Sequence, residues 1–222
     1  SRLSRGLGDV YKRQELTPAC AWELAKILDE AGCPKGVFNL VLGSGSVVGA
    51  RIAEHPDIDA VSFTGSVPTG RQIGVTCASL GKKVQMEMGG KNPMVVMDDA
   101  DLDVAIGACV NGAFFSTGQR CTASSRLIVT KGIYDKFVDA LTEAADNLVV
   151  GDALDSATQI GPVVDEKQLQ QNVDYVKLAA DEGCDVRGGS IQNGPGFFQK
   201  PAVFASATND MRVSREEIFG PC

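Results

Sequence analysis

Apolar residues in this chain fall in short blocks, and longer stretches of amphipathic character separate them. Blocks of four to six apolar or β-branched residues read as strands, and stretches of ten to fifteen with an apolar face read as helices. Thr17 is placed to cap a first helix, with Pro18 in its opening turn and Gly32 stopping it after Ala31. A strand follows at 37–42, then the turn Gly43-Ser44-Gly45 and a helix through about Glu54. A second strand is expected at 58–63. Ser66 caps the next helix, with Pro68 in its first turn, and a third strand covers 82–86. Strands separated by helices in this way imply right-handed βαβ crossovers and a parallel sheet.

Gly89-Gly90 reads as a hinge out of this first unit. Beyond it the pattern gives a strand at 93–97, a helix capped by Asp101 running to about Phe115, and a polar, turn-forming loop around Cys121. A strand at 126–130, helices at 133–148 and 165–182, and strands at 185–187 and 202–205 complete the second unit. Residues 1–14 have no apolar period. The run Gly8-Asp9-Val10-Tyr11-Lys12-Arg13-Gln14 resembles a translated sequencing-adapter read-through, so the segment is set outside the fold as a non-native leader, with a native basic tail as the alternative.

Composition narrows the function. The net charge is −7 and no basic stripe is present, which argues against nucleic acid as a partner. No apolar run approaches the roughly 18 residues of a membrane span. The seven Cys form no C-x-x-C pair and there is one His, so no metal site is expected. Unpatterned thiols suit a reducing cytoplasm.

Two residues sit in unusual surroundings. Cys121 lies in Phe114-Phe115-Ser116-Thr117-Gly118-Gln119-Arg120-Cys121-Thr122, and Glu87 in Gln85-Met86-Glu87-Met88-Gly89-Gly90-Lys91-Asn92-Pro93. A thiolate next to Arg120 and a tight Gly118 turn has positive neighbours and backbone N–H groups for an oxyanion. A carboxylate at a strand end facing a cleft can activate water. Together the two groups suit oxidation of an aldehyde through a thioester. The neutral readings are a core thiol for Cys121 and a turn residue for Glu87.

These segments resemble the NAD(P)-dependent aldehyde dehydrogenase family. Glu87-Met88-Gly89-Gly90-Lys91 is similar to its Glu-Leu-Gly-Gly-Lys signature, and Gly118-Gln119-Arg120-Cys121 to its Cys signature. Phe63-Thr64-Gly65-Ser66 is similar to its cofactor turn, and Glu216-Glu217-Ile218-Phe219-Gly220-Pro221 to a further signature. The resemblance implies an α/β fold of two parallel-sheet units. These are the C-terminal part of a Rossmann-like NAD-binding domain at 15–88 and a catalytic domain at 89–222. It implies Cys121 as nucleophile and Glu87 as general base. Gly65 and Ser66 then stand at the pyrophosphate, Glu217 at the nicotinamide ribose, Phe219 beside the ring, and Glu15 at the adenosine ribose, where a carboxylate favours NAD over NADP. Gly43-Ser44-Gly45 with Gly49 is a weak dinucleotide signal, one residue off the usual fingerprint. Phe115, Arg120 and Thr122 are expected on the substrate tunnel.

The resemblance covers 15–222 and reads as the middle of a chain about twice as long. Its upstream oxyanion Asn, its oligomerisation strands and the rest of its catalytic domain have no counterpart here. The parent is expected to be a homo-oligomer acting on a small aldehyde. The stretch Phe114–Ser125, with Lys91-Asn92-Pro93, is most like dehydrogenases of 2,5-dioxovalerate (α-ketoglutaric semialdehyde). Arg120 can pair with a substrate carboxylate, or it can merely tune the thiol or tie down its loop. A CoA-acylating relative, a Cys hydrolase using His55, and a catalytically silent fragment are the alternatives.

Overall fold

The computed structural model describes residues 9–13 and 16–222. The chain divides into two compact units, 1–88 and 89–222. Among the described residues the strands pair two by two, three pairs parallel and one antiparallel. The α/β class with parallel sheets holds.

In the first unit β1 (Asp9–Arg13) pairs in parallel with β2 (Phe38–Leu42). This corrects the expectation that residues 9–13 stand outside the fold. Pairing draws on backbone N–H and C=O groups, and Val10-Tyr11 has the β propensity to enter a ladder despite the basic, Gly-rich context. Helix α1 (Ala19–Glu30) starts after Pro18, which takes the cap position expected of Thr17. Gly32, with φ +81°, ends it as expected. After β2, a π-helical turn (Gly45–Gly49) leads into α2 (Ala50–Glu54). Strand β3 (Ala60–Gly65) runs into Ser66, the cap residue of α3 (Val67–Ser79). Strand β4 (Lys83–Met88) pairs in parallel with β3 and extends two residues past the expected end. Lys82 fastens this unit, its Nζ donating to the carbonyls of Ala53 (2.8 Å) and His55 (2.6 Å).

The second unit holds most of the core. Strand β5 (Asn92–Val96) pairs in parallel with β6 (Ser124–Val129). Helix α4 (Leu102–Cys109) is capped by the Asp101 carboxylate, which accepts from Val104 N, and continues as a π-helical stretch (Val110–Phe114). Helix α5 (Tyr134–Asp146) buries Phe137, Val138, Leu141 and Ala145, a spacing that keeps one face on the core. Phe137, Leu141 and Ala145 pack with Val96, Ala105, Cys109, Phe114 and Ile160. Helix α6 (Glu166–Asp181) is capped by Asp165, whose carboxylate accepts from Gln168 N. Strands β7 (Asp185–Gly188) and β8 (Ala202–Ala205) form the antiparallel pair, and α7 (Arg212–Arg215) precedes the last signature.

Candidate active site

Cys121 is exposed at the tip of a turn closed by Ala123 N donating to Arg120 O at 3.0 Å. The backbone leading to it is unusual. Ser116, Thr117 and Gly118 have φ of 55°, 58° and 64°, three left-handed residues in succession. A β-branched Thr is strained there. The surroundings hold it: Thr117 Oγ1 donates to Gly161 O and Pro162 O, both at 3.3 Å, and Gln119 Oε1 accepts from Val164 N at 3.1 Å. A Cβ on Gly118 would collide with the Gly220 carbonyl oxygen, so no other residue fits.

Arg120 turns back onto its own unit. Its Nη2 donates to the carbonyls of Asn111 and Gly112, while Nε is buried without a partner. Of the roles left open for Arg120, tying down the loop is therefore present. Asn92 Nδ2 donates to Cys121 O at 2.6 Å and to Ala123 O at 3.1 Å. Phe115 is half-buried and packs on the core, while Thr122 is exposed beside Cys121.

The segment 216–221 lies against this loop. Gly118, Arg120, Glu217 and Phe219 line one void of about 10 Å³. Helix α6 presents Gln168, Gln171, Asn172 and Tyr175 on one face to hold the segment. Gln168 and Gln171 both donate to Ile218 O, at 3.0 and 2.9 Å, and Gly220 packs on Asn172. The acidic pair divides in role. Glu216 accepts from Tyr175 (2.7 Å) and from Arg212 (2.9 and 3.0 Å), and these bonds, Arg212 foremost, hold its carboxyl below the usual range. Glu217 makes no hydrogen bond or ion pair among the described residues, and its carboxylate rests where a side chain on Gly89 would stand. Phe219 has φ +58°, which sets its exposed ring apart from the buried Ile218 and Gly220.

Lys91, next to these residues, is lowered to about 8 by burial, with Arg126 adding to the drop and Cys222, Glu217 and Glu216 opposing it. It lines a cavity of about 300 Å³ between β6, α5 and β8, of which Cys121 is not part. The core thiol Cys109 contrasts with Cys121: it is fully buried, and burial raises it to about 11.

The other expected site residues belong to the first unit. Glu87 is exposed within β4, opposite Thr64, which corrects its expected position just beyond the strand. Gly65 closes β3 and Ser66 opens α3, whose first turn contains no acidic residue. Gly43 follows β2 with φ +149°, and a Cβ there would stand 2.6 Å from Val48 Cγ2. Each of these glycines therefore lies at the carboxyl end of a parallel strand, where α/β folds bind ligands. Glu15 lies outside the described residues. His55 Nδ1 accepts from Asp57 N at 3.2 Å, a local turn bond. No cluster of three or more His, Cys, Asp or Glu side chains among the described residues is placed to hold a metal.

Asn92, the left-handed pair Ser116-Thr117 and the polar face of α6 were not singled out from sequence. The Gln168, Gln171, Asn172, Tyr175 spacing was a usable signal, because i, i+3, i+4, i+7 polar residues share a helix face.

Residues 6–222 match the model of the aldehyde dehydrogenase family. The chain is 46% identical to a betaine aldehyde dehydrogenase of Rhizobium leguminosarum, covering 99% of this chain and 46% of that protein. It is 43% identical to an alpha-ketoglutaric semialdehyde dehydrogenase of Bacillus subtilis, covering 93% and 43%. Among solved structures, aldehyde dehydrogenase from Bacillus cereus in complex with NAD+ superposes with a TM-score of 0.93 at 41% identity, covering 96% of this chain and 43% of that one. The chain spans about half the length of the curated relatives it matches.

Proposed function

Because this chain belongs to the aldehyde dehydrogenase family, we propose that the protein oxidises an aldehyde to the carboxylic acid with NAD, using Cys121 as nucleophile and Glu87 as general base. The observation that carries this reading is the placement of Cys121. It is an exposed thiol on a strained loop fastened from several sides, where a core thiol would be sealed in like Cys109. Strain held in place by its surroundings is a mark of functional loops.

The residues of the first unit fit a dinucleotide. Helix α3 offers first-turn N–H groups with no acidic residue among them to a pyrophosphate, next to Gly65 at the end of β3. In the second unit Glu217 has its carboxylate unspent and suits ribose hydroxyls, with the Phe219 ring exposed two residues on. Glu15 would favour NAD over the 2′-phosphorylated form. When bound, the nicotinamide accepts the hydride whose loss converts the Cys121 adduct to a thioester. Cys121 attacks the aldehyde carbon as a thiolate. Glu87 takes a proton from the water that hydrolyses the thioester, a role that a CoA-acylating enzyme would not need. In this reading 15–88 form the cofactor side and 89–222 the thiol side. The free thiols suit a reducing, cytoplasmic setting.

For the substrate we favour a semialdehyde carrying a carboxylate, such as 2,5-dioxopentanoate. Arg120 sits beside Cys121 and forms no ion pair among the described residues, so its charge is not cancelled locally. That charge attracts an anionic aldehyde and repels a quaternary ammonium one. The betaine aldehyde dehydrogenases among the relatives support the opposite choice, which the test below separates.

The test is NADH formation with 2,5-dioxopentanoate and with betaine aldehyde. Cys121→Ser is expected to abolish it. Glu87→Gln is expected to keep a first turnover and slow the steady state by about 10²–10⁴-fold. NADH formation indifferent to Cys121→Ser would overturn the mechanism, and a preference for betaine aldehyde would overturn the substrate.

A further inference from the structure

Resting on the reading of Cys121 as nucleophile, we propose that Asn92 is a positioning residue for acyl transfer, fixing the peptide that joins Cys121 to Thr122. The ladder between β5 and β6 is irregular at this residue. Asn92 pairs with Ser124, but Pro93 pairs with Arg126, so the register slips past Ser125. Pro93 has no N–H to donate. The Asn92 side chain acts where the backbone ladder falters, with its Nδ2 donating to both Cys121 O and Ala123 O.

Cys121 and Thr122 are the two central residues of the turn closed from Ala123 N to Arg120 O. A closing bond holds the ends of a turn but leaves its central peptide a choice of two orientations, the difference between type I and type II. Thr122 has no positive φ, which places the turn on the type I side, and the bond from Asn92 to the central carbonyl, Cys121 O, holds it there. The other fastenings of the loop, through Arg120, Thr117 and Gln119, do not touch it. Because the peptide is planar and trans, fixing Cys121 O on Asn92 points Thr122 N–H the opposite way. That N–H has no acceptor among the described residues. A flipped peptide would put carbonyl lone pairs in place of the N–H, next to an oxyanion forming on the Cys121 adduct. The position needs an amide: Asp offers no donor when ionised, and Ala none at all.

Two reactions of Cys121 separate this role from a structural one. With p-nitrophenyl acetate the sulfur–acetyl bond forms, the ester C–O bond breaks, nitrophenolate leaves and the thiol proton goes to solvent, through a tetrahedral oxyanion. With iodoacetamide the thiolate displaces iodide directly and no oxyanion forms. Both rates are measured on the whole chain, with the modified residue identified by mass spectrometry, for wild type, Asn92→Ala and Asn92→Asp. Both reactions need the thiolate, so their ratio cancels any change in its ionisation. The ratio of acylation to alkylation at Cys121 is expected to fall about tenfold or more in both variants. The buried Cys77 and Cys109 are expected to stay unreactive. An unchanged ratio overturns the proposal. So does labelling of Cys77 and Cys109, which would make Asn92 a residue the fold depends on. If wild-type Cys121 is no more reactive than the exposed Cys20, the nucleophile reading itself fails, a separate outcome.

Discussion

Gly89 and Gly118 both lack a side chain because something else occupies the space, but the occupants differ in what they can yield. At Gly118 the occupant is the Gly220 backbone carbonyl, and φ is +64°. Backbone cannot step aside, and an L-residue in this conformation costs about 1–2 kcal/mol in any case. Gly118→Ala is therefore expected to lower the urea-unfolding free energy by about 2 kcal/mol or more. At Gly89 the occupant is the free end of the Glu217 side chain, which can move. Gly89→Ala should leave stability within about 1 kcal/mol of wild type. It should weaken NAD binding, measured by titration, because Glu217 is displaced. Both positions were legible as motif glycines, but their reasons were not, since each occupant lies about a hundred residues or more along the chain. Arg120 shows the same limit. Its charge was plain in the sequence, but its fastening to the carbonyls of Asn111 and Gly112 was not.

Among the elements, helices carry the heaviest packing. Leu141 on α5 is 1% exposed within the main core, so Leu141→Ala should cost about 2–5 kcal/mol by denaturant unfolding. Helix α6 works differently, holding 216–221 with polar groups. At Glu216, held by Arg212 of α7 and Tyr175 of α6, stability becomes pH-dependent. Glu216 has its carboxyl lowered from the ordinary 4.5, first by Arg212 and then by Tyr175. The folded state thus binds this proton less readily than the unfolded chain. The stabilisation is present in full above about pH 4.5 and is lost as pH falls through the lowered value. Acid titration of wild type against Glu216→Gln should show the steeper loss in wild type, and parallel curves would contradict the assignment. Element existence was readable from apolar spacing, as for α5, α6 and β8. Ends were not: β4 runs on through Glu87 and Met88 because Thr64 and Gly65 remain available to pair with them. The π-helical continuation of α4 left no mark on the pattern either, because it changes the backbone pairing while the chain stays helical to Phe114.

At the scale of the molecule, the two units differ in how much they bury. The first seals only Ala21, Ala53 and Cys77 among its described apolar residues, and leaves Trp22, Val47 and Val75 more than half exposed. The second has a continuous core from Val96 to Ile160. Fewer buried contacts mean easier opening. Amide exchange is expected to be faster across α1 and α2 than across α5, and equal protection would contradict it. The boundary at 88/89 follows a Gly-Gly pair that the sequence marks openly, while strand β1 was hidden because a Gly- and Arg-rich segment gives no apolar alternation to read. Exposure alone does not make Cys121 the nucleophile, because Cys20 is exposed too. The direct measurement is the iodoacetamide rate of each Cys, mapped by mass spectrometry with and without NAD. Cys121 is expected to react well ahead of Cys20, and NAD to change its rate alone. Equal rates at Cys121 and Cys20, both indifferent to NAD, would contradict its role as nucleophile.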